Sequence, residues 1–204
     1  MELPPEIKYQ IARRKNPQFS SEVCLGCTGK CCSGPGFALL ENVVEIYDRY
    51  ITSNLTRSDY QYKPNLSFCQ FVMEYFDRVV FNNSLLVFFP KVISSHDMLL
   101  HVSPLGYYEA REYIHNRSEN FGCIFLDRKR NVGEHRGHKC ILHNSSIEDK
   151  MTAKPIDCSF LTCTPSMDVI NPLNTESNLW FASLDHHFPK SKERFAQLCP
   201  GIPN

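Results

Sequence analysis

Cys24-Leu-Gly-Cys27-Thr-Gly-Lys-Cys31-Cys32 places four thiols within nine residues, interleaved with glycines and a lysine. A buried core does not need that pattern, but a soft metal ion does. Thiolates on tight, glycine-rich loops can converge on one point, as they do around zinc and iron–sulfur clusters. The vicinal pair Cys31-Cys32 makes the motif far more specific than its Cys-x-x-Cys half. A second group lies well downstream: Gly122-Cys123-Ile-Phe-Leu126, His138-Lys-Cys140-Ile-Leu-His143, and Lys154-Pro155-Ile-Asp-Cys158-Ser-Phe-Leu-Thr-Cys163. Cys24, Cys27, Cys31, Cys32, Cys123, Cys140, Cys158 and Cys163 are therefore the eight candidate ligands. That number suits two four-thiolate sites or one larger cluster, and tetrathiolate chemistry leaves zinc and iron both open.

Neighbouring residues fit the same chemistry. Lys30 and Lys154 lie beside the thiol loops, where positive charge would favour thiolates; an ordinary solvated lysine is the alternative. Pro155 and Pro165 would stiffen the second ligand loop, so that less entropy is lost on binding metal. His135, His138 and His143 surround Cys140, and His186-His187 follows near the C-terminus. Each could add a nitrogen donor, with a polar loop as the simpler reading. His96 and His101 read as surface or core residues. Cys69 falls on the apolar side of an expected helix and reads as core, while Cys199, beside Pro200, reads as a free thiol or a late ligand. Gly34-Pro-Gly36 reads as a plain turn, with neither a Walker pattern nor a dinucleotide fingerprint around it. No paired carboxylates and no Ser/His/Asp arrangement with convincing spacing are present, so no catalytic residue is assigned.

The order Cys-x-x-Cys…Cys-Cys, Gly-Cys-x-Phe-Leu, Cys-x-x-His, Lys-Pro-x-x-Cys resembles the CxxCxxCC cysteine-cluster family of zinc- or iron-chelating domains, which includes a relative of flagellin lysine N-methylase. The resemblance covers about residues 24–50 and 122–163, and Phe125, Leu126, Lys154 and Pro155 also fit it. It implies that the eight cysteines chelate zinc or iron. The chain departs from the pattern in three ways. Three residues separate Cys27 from Cys31, His143 stands where an aromatic residue is common, and the stretch from Cys32 to Cys123 is long, reading as an inserted subregion over about 54–105. Nothing looks like an S-adenosylmethionine site, so the methylase link is not carried over.

The elements that must position these residues follow from periodicity. A polar lead-in broken by Pro4, Pro5 and Pro17 occupies residues 1–22. Leu39, Val43, Ile46, Tyr47 and Tyr50 predict a helix over Ala38–Tyr50, and Phe68, Phe71, Val72, Tyr75, Phe76 and Val79 predict another over Ser67–Val80. The stretch 54–65 is polar and turn-like. β-branched and aromatic runs predict strands at Leu85–Ile93 and Met98–Val102, joined by a hairpin loop at Ser94-Ser-His-Asp97. Ser103-Pro104 starts an expected helix carrying Tyr107, Tyr108 and Ile114. Asn178–Leu184 reads as a late strand and Lys190–Leu198 as a closing helix. The expected fold is α+β, a small single domain over 1–204 with short strands and several helices organised around a cysteine-ligated metal cluster.

Composition narrows the function classes. Formal net charge is zero, which argues against general nucleic-acid binding. The most apolar run, around Ser84–Ile93, is shorter than the roughly 20 residues of a membrane span and contains Pro90 and Lys91. Met-Glu-Leu-Pro-Pro-Glu-Ile-Lys lacks a signal peptide's apolar core, so the expected location is the cytoplasm, where clustered thiols stay reduced. Ten cysteines in 204 residues is a density below that of disulfide scaffolds, and the disulfide reading is disfavoured. The Asn-x-Ser/Thr sites at Asn54, Asn65, Asn82, Asn116 and Asn144 read as chance. The expected function is binding of zinc or iron, with an iron–sulfur cluster as one form. The alternatives are an iron-dependent enzyme modifying a protein and a zinc-stabilised module that docks a protein partner.

Overall fold

The computed structural model describes residues 36–53, 55–81, 85–94, 99–100, 121–127, 131–132, 135–136, 139–142, 162–163, 169–170 and 190–203. Helix α1 spans Leu40–Ile51, close to the expected bounds. Leu40, Val43 and Ile46 are buried along one face, as a 3.6-residue repeat requires. Leu39 has no side-chain acceptor with which to cap the helix. Asn42 Oδ1 instead accepts the Leu39 N–H at 2.9 Å, supplying the returning half of a capping box. Thr52 Oγ1 donates to the carbonyls of Asp48 and Arg49 at the other end, and Ser53 turns the chain away at φ 58°.

Helix α2 spans Phe68–Tyr75. Ser67 and Gln70 form a complete capping box: Gln70 Oε1 accepts the Ser67 N–H at 2.9 Å, and Ser67 Oγ accepts the Gln70 N–H at 3.4 Å. The expected continuation to Val80 is not observed. The chain passes directly into strand β1 (Phe76–Phe81), which pairs antiparallel with β2 (Leu85–Pro90) from Phe76↔Pro90 to Phe81↔Leu85. The apolar residues here fit a helical or an extended period. The ladder with β2 and the β-forming content of Phe-Asp-Arg-Val-Val-Phe decide for the strand.

All of β2 is buried. Its second edge is closed by Ala38, which exchanges hydrogen bonds of 2.7 and 2.9 Å with Phe88. Helix α1 and the closing helix α3 (Ser191–Leu198) both pack on this strand. Ser191 Oγ accepts the Leu86 N–H at 2.7 Å, and Phe195 meets Phe88 edge to face, with centroids 5.4 Å apart. Arg194 pairs with Glu41 of α1. Cys199 closes α3 and is bonded to Cys69 in the first turn of α2, with their Cα atoms 5.4 Å apart. This corrects the reading of Cys199 as a free thiol or late ligand, and of Cys69 as simple packing. One disulfide is thus present where the disulfide reading was disfavoured. The sequence offers no local sign of the pairing, because 130 residues separate the partners.

The expected single strand Leu85–Ile93 breaks at Lys91, whose side chain turns back so that Nζ donates to the Met73 carbonyl at 2.7 Å. Past the break, β3 (Val92–Ser94) forms the centre of a three-stranded antiparallel sheet between β4 (Leu99–Leu100) and β5 (Phe121–Cys123). The pairing expected across Ser94-Ser-His-Asp97 is present, with Ile93 opposite Leu99. Beyond β5, β6 (Leu126–Asp127) pairs with β9 (Lys139–Cys140). Two further hairpins join β7 (Asn131–Val132) to β8 (His135–Arg136) and β10 (Thr162–Cys163) to β11 (Val169–Ile170). The described part is thus a small α+β fold of three helices and short antiparallel strands. Its core gathers Tyr62, Phe71, Tyr75, Phe76, Phe88, Phe125 and Phe195. Each buried aromatic side chain contributes roughly 1.5–3 kcal/mol of burial energy. No helix among the described residues is long and apolar enough to cross a membrane. The lead-in 1–22, the helix expected after Ser103 and the strand expected at Asn178–Leu184 lie outside the described residues.

Candidate metal centre

Of the eight candidate ligands, Cys123 and Cys140 are described with their side chains, and both are free thiols. Cys163 is placed on β10 opposite Val169. Cys24, Cys27, Cys31, Cys32 and Cys158 lie outside the described residues, as do His138, His143, His186, His187, Lys30 and Lys154. His135 sits on β8 opposite Val132. Among the described residues, no group of three or more His, Cys, Asp or Glu side chains gathers into a metal site. What the structure offers is a two-thiol arrangement around one buried turn.

Cys123 ends β5 opposite Val92, and the ladder continues one step further, with the Ile124 N–H donating to the Lys91 carbonyl at 2.9 Å. Ile124 and Phe125 then form a fully buried turn into β6. Register sets Leu126 opposite Cys140, and the Ile141 N–H donates to the Phe125 carbonyl at 2.9 Å. The two thiol-bearing segments are thereby tied to opposite ends of the same turn. The apolar Ile-Phe-Leu of one piece and Ile-Leu of the other bury this junction, with Ile124, Phe125, Leu126 and Leu142 all in the core.

Burial pushes the Cys123 thiol up to about 11 from an ordinary 9.0. The Phe125 N–H, hydrogen-bonded to its sulfur, and the nearby Arg57 guanidinium pull in the opposite direction. At neutral pH the metal-free thiol is therefore protonated. A bound cation would have to displace that proton, and the amide donor would remain to stabilise the resulting thiolate. Burial raises the Tyr62 phenol well above its ordinary range; the Arg57 guanidinium opposes the rise, and charge on Cys123 or Cys140 would add to it.

The polar, turn-like stretch expected over 54–65 is described from Leu55 onward. It has no regular structure, but it is the wall of this site. Tyr62 Oη donates to the Ile124 carbonyl at 2.9 Å, and Arg57 Nη1 donates to that same oxygen at 2.6 Å. Arg57 is itself held by Asp59, at 2.8 and 2.9 Å, and lies over the Tyr60 ring. Asp127 accepts from the Ser58 N–H and hydroxyl at 3.0 and 2.6 Å. Arg49 of α1 reaches the Leu142 carbonyl at 3.2 Å. Sequence reasoning missed Arg57, Tyr62 and Arg49, since an arginine buried by tertiary contacts looks like any exposed one. The signal available was Arg57-Ser-Asp-Tyr-Gln-Tyr62, two charged residues followed by two tyrosines.

No protein-family model, curated protein or solved structure matches the chain.

Proposed function

We propose that this protein binds zinc or iron through clustered cysteine thiolates: Cys24, Cys27, Cys31, Cys32, Cys123, Cys140, Cys158 and Cys163. The observation that supports the reading most is the junction at Ile124-Phe125, where two free thiols flank one buried turn. Two soft donors flanking one turn suit a thiophilic cation. Further sulfurs from the N-terminal Cys24–Cys32 stretch and from Cys158 and Cys163 would complete the coordination. Bound zinc would act as a cross-link between these segments, whereas iron or an iron–sulfur cluster would add one-electron chemistry.

Elemental analysis and the visible spectrum of anaerobically purified protein test the reading. Stoichiometric zinc with no colour, or iron with thiolate-to-metal absorption, is the expected outcome. Cys27→Ser and Cys158→Ser should each impair metal retention to a similar degree, despite their separation in sequence. A structural zinc contributes on the order of 10–16 kcal/mol of apparent binding energy, so complete metal removal should lower the melting temperature sharply. Unchanged circular dichroism and melting after metal removal would overturn the proposal.

A further inference from the structure

The carbonyl of Ile124 receives two donors from a single neighbouring segment, the Arg57 guanidinium at 2.6 Å and the Tyr62 hydroxyl at 2.9 Å. Ile124 follows Cys123 directly. Rotating its peptide plane would redirect the chain where it leaves Cys123. Two donors on the carbonyl oxygen oppose this rotation. The donors are themselves held: the Arg57 side chain is 2% exposed and is fixed by Asp59 and the face of Tyr60, and Tyr62 is packed against Tyr75 and Phe125. The second thiol segment has a matching contact, Arg49 to the carbonyl of Leu142, two residues past Cys140.

We infer that Arg57 and Tyr62, with Arg49 on the second arm, are positioning residues that preset the Cys123 and Cys140 sulfurs for a soft divalent cation. The inference rests on the metal-binding reading above. It adds that the preset is built by a segment carrying none of the cysteines. The physical gain is preorganisation: a donor set already held in one arrangement loses less freedom when the ion arrives. Groups that orient ligands in this indirect way commonly alter metal affinity by about 10–100-fold when removed.

Cobalt(II) is the probe, added anaerobically to the metal-free full-length protein, with thiolate-to-cobalt charge-transfer absorption reporting the sulfur ligands. Affinity is read by competition with a chromophoric chelator. Tyr62→Phe removes only a hydroxyl, and Arg57→Lys keeps the charge but loses the planar guanidinium. Each should weaken cobalt binding by about 10-fold or more and alter the charge-transfer band, while the metal-free Tyr62→Phe protein melts near the wild-type temperature. Ser191→Ala, on the far helix, should bind as wild type does. Wild-type affinity and an unaltered spectrum in both Tyr62→Phe and Arg57→Lys would overturn the positioning role and leave the metal reading intact. Absence of any cobalt–thiolate absorption in the wild type would remove the metal reading itself, and this inference with it.

Discussion

Cys69 and Cys199 come from two helices 130 residues apart and are joined sulfur to sulfur, whereas Cys123 and Cys140 flank one turn and remain thiols. Both pairs belong to the same core, with Cys123 and Cys199 buried and Cys69 and Cys140 at its margin. The bonded pair sits where two helix ends meet. The free pair sits where strands end. The difference shows that the ten cysteines are not one pool. Two have a mechanical role that uses up both sulfurs. Two others remain free thiols.

Breaking the bonded pair should have the largest effect. Replacing Cys69 and Cys199 with alanine removes a cross-link that closes most of the chain, which should cost about 2–5 kcal/mol. In a protein of this size that corresponds to a fall in melting temperature of roughly 5–15 °C. Metal content should be unchanged, because neither sulfur is a proposed ligand. Peptide mapping without reductant should recover Cys69 and Cys199 in one cross-linked species and Cys123 alkylated. Recovery of alkylated Cys199 would dissolve the contrast.

A pH series sharpens the other side. The folded Cys123 thiol titrates near 11 and the unfolded one near 9.0. Below about 9 both states hold the proton, and the full contribution is present. As pH rises from 9 to 11 the unfolded chain loses its proton first, so the metal-free protein should lose up to about 2–3 kcal/mol across that window. Cys123→Ala should flatten that part of the profile, as read by urea denaturation at stepped pH. The double alanine variant at Cys69 and Cys199 should retain it.

The smallest expected effect probes whether the bonded pair acts alone. Ser191→Ala removes the acceptor for the buried Leu86 N–H and should cost about 1–2 kcal/mol. Combined with loss of the disulfide, it should cost more than the sum if the C-terminal helix then detaches as a unit. Thermal melts of the single and combined variants measure this coupling.

The parts of the fold that follow local rules were legible in advance. Helix α1 declared itself through Leu39, Val43 and Ile46, and α3 through its short amphipathic run after Pro189. The end of α2 was not legible, since Phe76, Val79 and Val80 satisfy both periods and only the distant ladder with β2 separates them. The Cys69–Cys199 bond was invisible for the same reason: it depends on a meeting of elements, and spacing carries no information about that. Cys123 and Cys140 stood out as thiols near Gly, Phe and Leu. The arginines and the tyrosine that hold their turn were hidden within a stretch whose polarity suggested solvent.

Lys91 gives the molecule a property that no single element has. Its N–H donates to the Tyr75 carbonyl, its ammonium donates to the Met73 carbonyl, and its own carbonyl accepts the Ile124 N–H. One residue thus ends α2, separates β2 from β3 and extends the strand that carries Cys123. Hydrogen exchange at Lys91 and Ile124 should therefore report one shared opening event, and the thiol turn cannot loosen without fraying the end of the helix.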